Sequence, residues 1–134
     1  MPEKKTLERA RKAKREGKSP TTQAGEFVRE EIEHIREGKH GARSTKQAIA
    51  IGLSKARRAG VALKPPRKGE TSARTRESAE RAYRAGQRHP GRKPSPGRSR
   101  GALRVLKREP TSTVSKQALS KQARTAARRR RRTT

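Results

Sequence analysis

The side chains able to do chemistry in this chain are overwhelmingly cationic. Thirty-nine Lys and Arg stand against 12 acids, every one a glutamate, for a formal net charge of +27. There is no cysteine, which rules out disulfides, thiolate metal sites and thiol nucleophiles and fits a reducing compartment. Of the three histidines, His34 and His40 stand six residues apart, a spacing that does not place them on one helical face, and His89 is distant. No metal site is expected from them. Glu30 and His34, four apart, read as a surface pair on a helix. No acid is placed to serve a nucleophile and no glycine-rich phosphate loop follows a strand. The reading is therefore a protein without catalytic residues, cofactor or small-molecule substrate, and not an enzyme.

What such an excess of cations can do is hold polyanions. Lys and Arg that neutralise phosphates release condensed counterions, which gives strong, salt-sensitive and sequence-tolerant binding. The charge is uneven: residues 61–134 carry 23 Lys and Arg against four Glu, so +19 of the +27 lies there. The candidate nucleic-acid contacts are Lys39, Arg43, Lys46, Lys55, Arg57 and Arg58 in the middle of the chain. Beyond it they are Arg92, Lys93, Arg98 and Arg100, then the run Arg128, Arg129, Arg130, Arg131 and Arg132. For Lys55, Arg57 and Arg58, favourable placement at the negative end of a helix is an equal explanation. Phe27 and Tyr83 are the only aromatics, which argues against single-strand recognition by base stacking. DNA is thus preferred over RNA as partner. An anionic membrane surface, structured RNA or the ribosome, and a protein partner bridged to DNA are the alternatives.

These residues must be positioned by something, and the composition limits what. Only 26% of residues are hydrophobic and 38% are charged. Low hydrophobicity with high net charge is the signature of disorder or of folding on binding. The expected fold is all-α: a short helical hairpin with flanking charged helices and largely disordered basic arms. Its parts would be a basic helical arm at residues 1–20, the hairpin at 21–63, and an Arg/Lys-rich tail with Pro/Gly linkers at 64–134.

The hairpin is the best-marked stretch. Ala24, Phe27, Val28, Ile32 and Ile35 repeat at three- and four-residue spacing, the period of an amphipathic helix that starts at Thr21 or Thr22 and stops at Gly38. Ser44 followed by Gln47 is a capping-box pattern that opens a second helix. Ala48, Ile49, Gly52, Leu53 and Ala56 are its apolar stripe and Gly60 its end, with Val61 placed to close a Schellman turn on Ala56. The core is expected from Phe27, Val28, Ile32, Ile35, Ile49 and Leu53. So few large side chains barely offset the entropy of ordering the hairpin, so a homodimer, an added helix or a bound polyanion is expected to stabilise it.

Outside the hairpin the signals thin out. Residues 4–16 form a charged helix stopped by Gly17, and Ser19-Pro20 breaks the chain after it. A third helix is expected over residues 71–86 with Ala79, Ala82 and Tyr83 as a weak stripe. Residues 89–100 hold three prolines and read as irregular, 101–108 as a short helix, and 113–132 as a final Ala/Lys/Arg helix. The phrase at 44–49, STKQAI, is echoed at 114–119 as VSKQAL. The proline-rich stretch at 90–98 could lay Arg side chains into a narrow minor groove. Within it Gly91-Arg92-Lys93-Pro94 resembles the core of an AT-hook, without that family's Arg-Gly-Arg-Pro order. A helix–turn–helix docking of residues 44–59 in a major groove is a further reading, against which stands a link longer than the usual three or four residues.

The hairpin also carries a resemblance. The stretch GKHGARSTKQAIAIGLSKARRAG, residues 38–60, resembles a family of small basic bacterial proteins with a domain of unknown function, some of them labelled plasmid stabilisation proteins. The likeness extends over residues 1–63. It implies a bacterial, cytoplasmic setting, here the nucleoid, and brings no established mechanism or site residues. No apolar run approaches the ~20 residues of a membrane helix, so no span is expected.

Overall fold

The computed structural model describes residues 2–93 and 95–133. Among them there are six α-helices and no strand: α1 (Lys4–Arg15), α2 (Pro20–Arg36), α3 (Thr45–Arg58), α4 (Ala73–Arg88), α5 (Pro96–Lys107) and α6 (Lys116–Thr133). A short 3-10 turn, Ser112–Val114, precedes α6.

Every helix start but that of α1 follows one rule. Serine hydroxyls accept from backbone N–H groups three residues on: Ser19 from Thr22, Ser44 from Gln47, Ser72 from Thr75, Ser95 from Arg98 and Ser115 from Ala118. Each supplies an acceptor to a helix start that has none of its own. Two of these serines precede proline, and both Ser-Pro pairs, expected to break the chain, instead begin helices. Proline lacks only an N–H that the first turn leaves unpaired, and its fixed φ already suits the helix. That is why α2 starts at Pro20 rather than at Thr21 or Thr22, and why residues 96–100, expected to be irregular, are the first turns of α5.

The stops of α1, α2 and α3 follow another. Gly17, Gly38 and Gly60 have φ of 76°, 77° and 103°, the left-handed region that glycine enters without penalty. After Gly60, Val61 N donates to Ala56 O and Gly60 N to Arg57 O, the two bonds of a Schellman turn. The same pair of bonds closes α1 at Gly17 and α2 at Gly38.

The chain divides into two compact units, Met1–Glu30 with Ala50–Pro94, and Glu31–Ile49 with Ser95–Thr134. The core of the first is Phe27, Ala10, Ala24, Ala56 and Val61, with Leu7, Leu53, Ala59 and Leu63 packed against it. α3 reaches α2 through Gly52, where a Cβ would lie 2.6 Å from Val28 Cα. α4 buries Ala79, Ala82 and Gly86, and a Cβ on Gly86 would lie 1.6 Å from Arg57 O. The core of the second unit is Ile35, Ala42, Ala48 and Val114, with Ile32 against it.

Two expectations change here. The six residues assigned to one hairpin core are not one cluster: Phe27 and Leu53 belong to the first core, Ile32 and Ile35 to the second, and Val28 and Ile49 are half-buried. The largest of them, Phe27 and Ile35, are 1% and 0% exposed within the single chain, so their burial requires no second copy. The arms are also helical rather than largely disordered. α4 and α6 are rich in Ala and Arg, which favour helix, and α4, α5 and α6 each have a serine cap. Val114, fully buried beside Ile35, anchors the start of α6 in a way that charge and mean composition do not reveal.

Candidate functional site

Of the cations nominated from the sequence, Lys39, Arg43, Lys46, Arg58, Arg92, Lys93, Arg98, Arg100 and Arg128 to Arg132 are exposed, and Lys55 is half-buried. Arg57 is not available. It is 7% exposed, its Nε donates to Leu63 O at 3.0 Å and its Nη2 to Lys64 O at 3.2 Å. Burial lowers the guanidinium from its ordinary pKa. Arg57 therefore clamps the chain that leaves α3, and it drops out of the set of phosphate contacts. Its neighbour Arg58, one helical step round, stays in water. Pro94, part of the stretch that resembles an AT-hook, lies outside the described residues.

The structure adds a face that the sequence reading left out. Arg74, Arg81, Arg84 and Arg88 of α4 are exposed and follow one another at steps of seven, three and four residues. That spacing lines one side of a helix, opposite the buried Ala79, Ala82 and Gly86. Glu80 lies 4.0 Å from Arg84 and trims the charge there. The steps were visible in the sequence, but only the burial of the alanines fixes that face toward solvent. On α6, Lys121, Arg124, Arg128 and Arg132 are exposed at steps of three and four, while Ala118, Leu119, Gln122 and Ala126, along a different face, are half-buried. A helix with unlike faces thus presents a row of cations.

A second cluster is acidic and aromatic. α2 ends in the Schellman turn at Gly38, which folds the chain back so that His40 meets the last turns of the helix. Glu31 and His40 are 0% and 7% exposed, and His40 Nε2 lies 2.7 Å from Glu31 Oε1. His40 Nδ1 lies 2.9 Å from Gly41 O. The His34 ring meets the His40 ring edge-on, centroids 6.5 Å apart at 81°. Gly41 N donates to Leu106 O and Ala42 N to Pro110 O, which pins the turn, and a Cβ on Gly41 would lie 1.9 Å from Glu109 O. The expectation that six-residue spacing keeps His34 and His40 apart assumed one continuous helix. His40 lies beyond the helix end, so the rule does not reach it.

The expected surface pair of Glu30 with His34 is also altered. Glu30 is 2% exposed; its Oε1 accepts from Glu3 N and from Thr6 Oγ1, so it holds the start of α1. An open cleft in the first unit is lined by Leu7, Phe27, Val61, Pro90, Arg11 and Lys14 among others, and its lining offers no carboxylate, hydroxyl or imidazole. Among the described residues no helix is long and apolar enough to cross a membrane.

Residues 11–69 match a family of unknown function, DUF6496. The match runs from α1 past the end of α3, so it contains the Ser-Pro start of α2, the Gly38 turn with Glu31, His34 and His40, and the Arg57 clamp. It leaves α4, α5 and α6 outside. No curated protein and no solved structure matches the chain.

Proposed function

We propose that the protein binds nucleic acid, duplex DNA in preference to RNA and with little sequence preference, through the cationic faces of its helices. The observation that carries the reading is the pairing of a +27 net charge with ordered rows of exposed Arg and Lys on α4 and α6. A row fixed on a helix meets phosphates with less conformational entropy to lose than the same residues on a flexible arm. Lys39, Arg43, Lys46 and Arg58, with Arg92, Lys93, Arg98 and Arg100, would add further phosphate contacts. Duplex is favoured over single strands because Phe27 is buried and Tyr83 half-buried, which leaves no open stacking platform. The role that follows is that of a nucleoid-type protein of the bacterial cytoplasm, coating DNA and supporting plasmid or chromosome maintenance.

The test is binding of the full chain to duplex DNA, single-stranded DNA and structured RNA across a range of salt. The expected result is a steep linear fall of log affinity with log salt, with duplex DNA bound best. Each phosphate contact contributes about 0.9 to that slope, so Arg124→Ala with Arg128→Ala should lower it by about 1.8. Affinity that holds steady as salt rises, or a clear preference for single strands, would overturn the proposal.

A further inference from the structure

The geometry points to a binding site for one divalent transition-metal ion of the zinc class, formed by Glu31 and His34 of α2 and His40 of the turn that follows. One ligand atom from each of the three residues lies within 4.8 Å of the others. Glu31 and His34 stand three apart on α2 and share a face. His40 is returned to that face by the left-handed Gly38. The set of two imidazoles and a carboxylate suits zinc, cobalt and nickel rather than magnesium or calcium, which prefer oxygen alone.

The details around the cluster are those a metal ligand needs. His40 Nδ1, 2.9 Å from Gly41 O, donates its hydrogen to that carbonyl, which fixes the ring and aims Nε2 at Glu31. Metal-bound histidines have such a carbonyl or carboxylate on the second nitrogen. Nε2 in turn faces a carboxylate oxygen at 2.7 Å, so both ring nitrogens meet oxygen acceptors. An ion bound here would lie between Nε2 and the Glu31 carboxylate and replace their direct contact. Ligands of a tetrahedral zinc lie about 3.3 Å apart, from bonds of about 2.0–2.1 Å. His34, half-buried, completes the set, its ligand atom already within 4.8 Å of those of Glu31 and His40. The backbone bonds of Gly41 and Ala42 hold the other side of the site in place. Three protein ligands leave a fourth position for water, and the ion would lock the turn between α2 and α3.

The experiment is calorimetric titration of tag-free full-length protein, stripped with chelator, with Zn²⁺, alongside Co²⁺ followed by visible absorption. We expect one equivalent of Zn²⁺, a Co²⁺ spectrum of a four- or five-coordinate site, and a rise in melting temperature on loading. His34→Ala should weaken binding at least about tenfold, Glu31→Gln should do the same, and His89→Ala should leave it unchanged. His34 is half-buried and its removal leaves the Glu31–His40 pair intact, so that variant decides the matter even if His40→Ala does not fold. Binding that His34→Ala and His89→Ala affect equally, or no saturable binding at one equivalent, would overturn the site. Nucleic-acid affinity is measured separately and does not enter either outcome.

Discussion

Phe27 and Ile35 sit on the same helix, eight residues apart, and are buried by different means. Phe27 is enclosed by side chains from α1, α2, α3 and the exit from α3: Leu7, Ala10, Ala24, Ala56 and Val61. Ile35 has smaller neighbours, Ala42, Ala48 and Val114, and is surrounded by polar stitching. Thr113 Oγ1 donates to Ala42 O, Thr45 Oγ1 to Thr113 O, and Arg36 Nε to Val114 O. The first unit is held mainly by apolar volume and the second mainly by satisfied backbone groups. The contrast shows how a chain so poor in large apolar residues can be ordered over its described residues. Where volume is scarce, alanine and glycine let backbones approach, and hydrogen bonds to otherwise unpaired carbonyls supply the rest.

Substitutions can break or sharpen that contrast, and the largest effects belong to volume. Phe27→Ala should cost about 3–5 kcal/mol, read as a lower urea midpoint, because it removes the largest buried side chain of the first core. A cost below that of Ile35→Ala would reverse the ranking of the two units. Next come the glycines at close approaches. Gly86→Ala in the first unit and Gly41→Ala in the second each put a methyl where a carbonyl oxygen sits, 1.6 Å and 1.9 Å away. Each should destabilise by about 3 kcal/mol, at the upper end of overpacking; a variant that melts like the parent would show that the backbones can part.

Arg57→Ala should lose about 1.5–3 kcal/mol, since two carbonyls lose a charged donor, while DNA affinity at fixed salt barely changes. Arg58→Ala should do the opposite, and if Arg57→Ala instead flattens the salt dependence, the clamp is not its main role. Thr113→Val removes one stitch from the second unit and should cost about 1 kcal/mol; no change in midpoint would mean that volume rules there too. The smallest effect is a gain. Gly25 lies inside α2 with nothing within 4 Å of a Cβ built on it, so Gly25→Ala should stabilise by about 0.5–1 kcal/mol.

The local rules were legible in the sequence wherever a single residue type decides the backbone. Gly17, Gly38 and Gly60 end helices as read, and the Ser44–Gln47 pattern caps α3, although the Gln47 side chain accepts from Arg43 N rather than Ser44 N. Ser19-Pro20 and Ser95-Pro96 were just as legible; proline at the first helical position is a start signal, and reading it as a breaker shortened α2 and hid the front of α5. The echo of residues 44–49 at 114–119 falls at the head of a helix each time, with the serine caps offset by one position, Ser44 matching Val114 and Ser115 matching Thr45. Those two caps lie close in the second unit, joined through Thr45 and Thr113.

By itself, the sequence determined the helical class, the positions of most caps and stops, and the excess of cation. Each depends on a residue and its neighbours within one or two turns. Tertiary structure alone decided which members of a pattern are buried. It took Arg57 inward and left Arg58 in water, divided the apolar stripe of α2 between two cores, turned the arginines of α4 outward, and brought His40 against Glu31. Burial of a charge or a ring is set by groups far along the chain that satisfy its hydrogen bonds. For Arg57 those groups are the carbonyls of Leu63 and Lys64, beyond its helix. For His40 they are a glutamate nine residues back and a turn held by Leu106 and Pro110, and no local period carries that information.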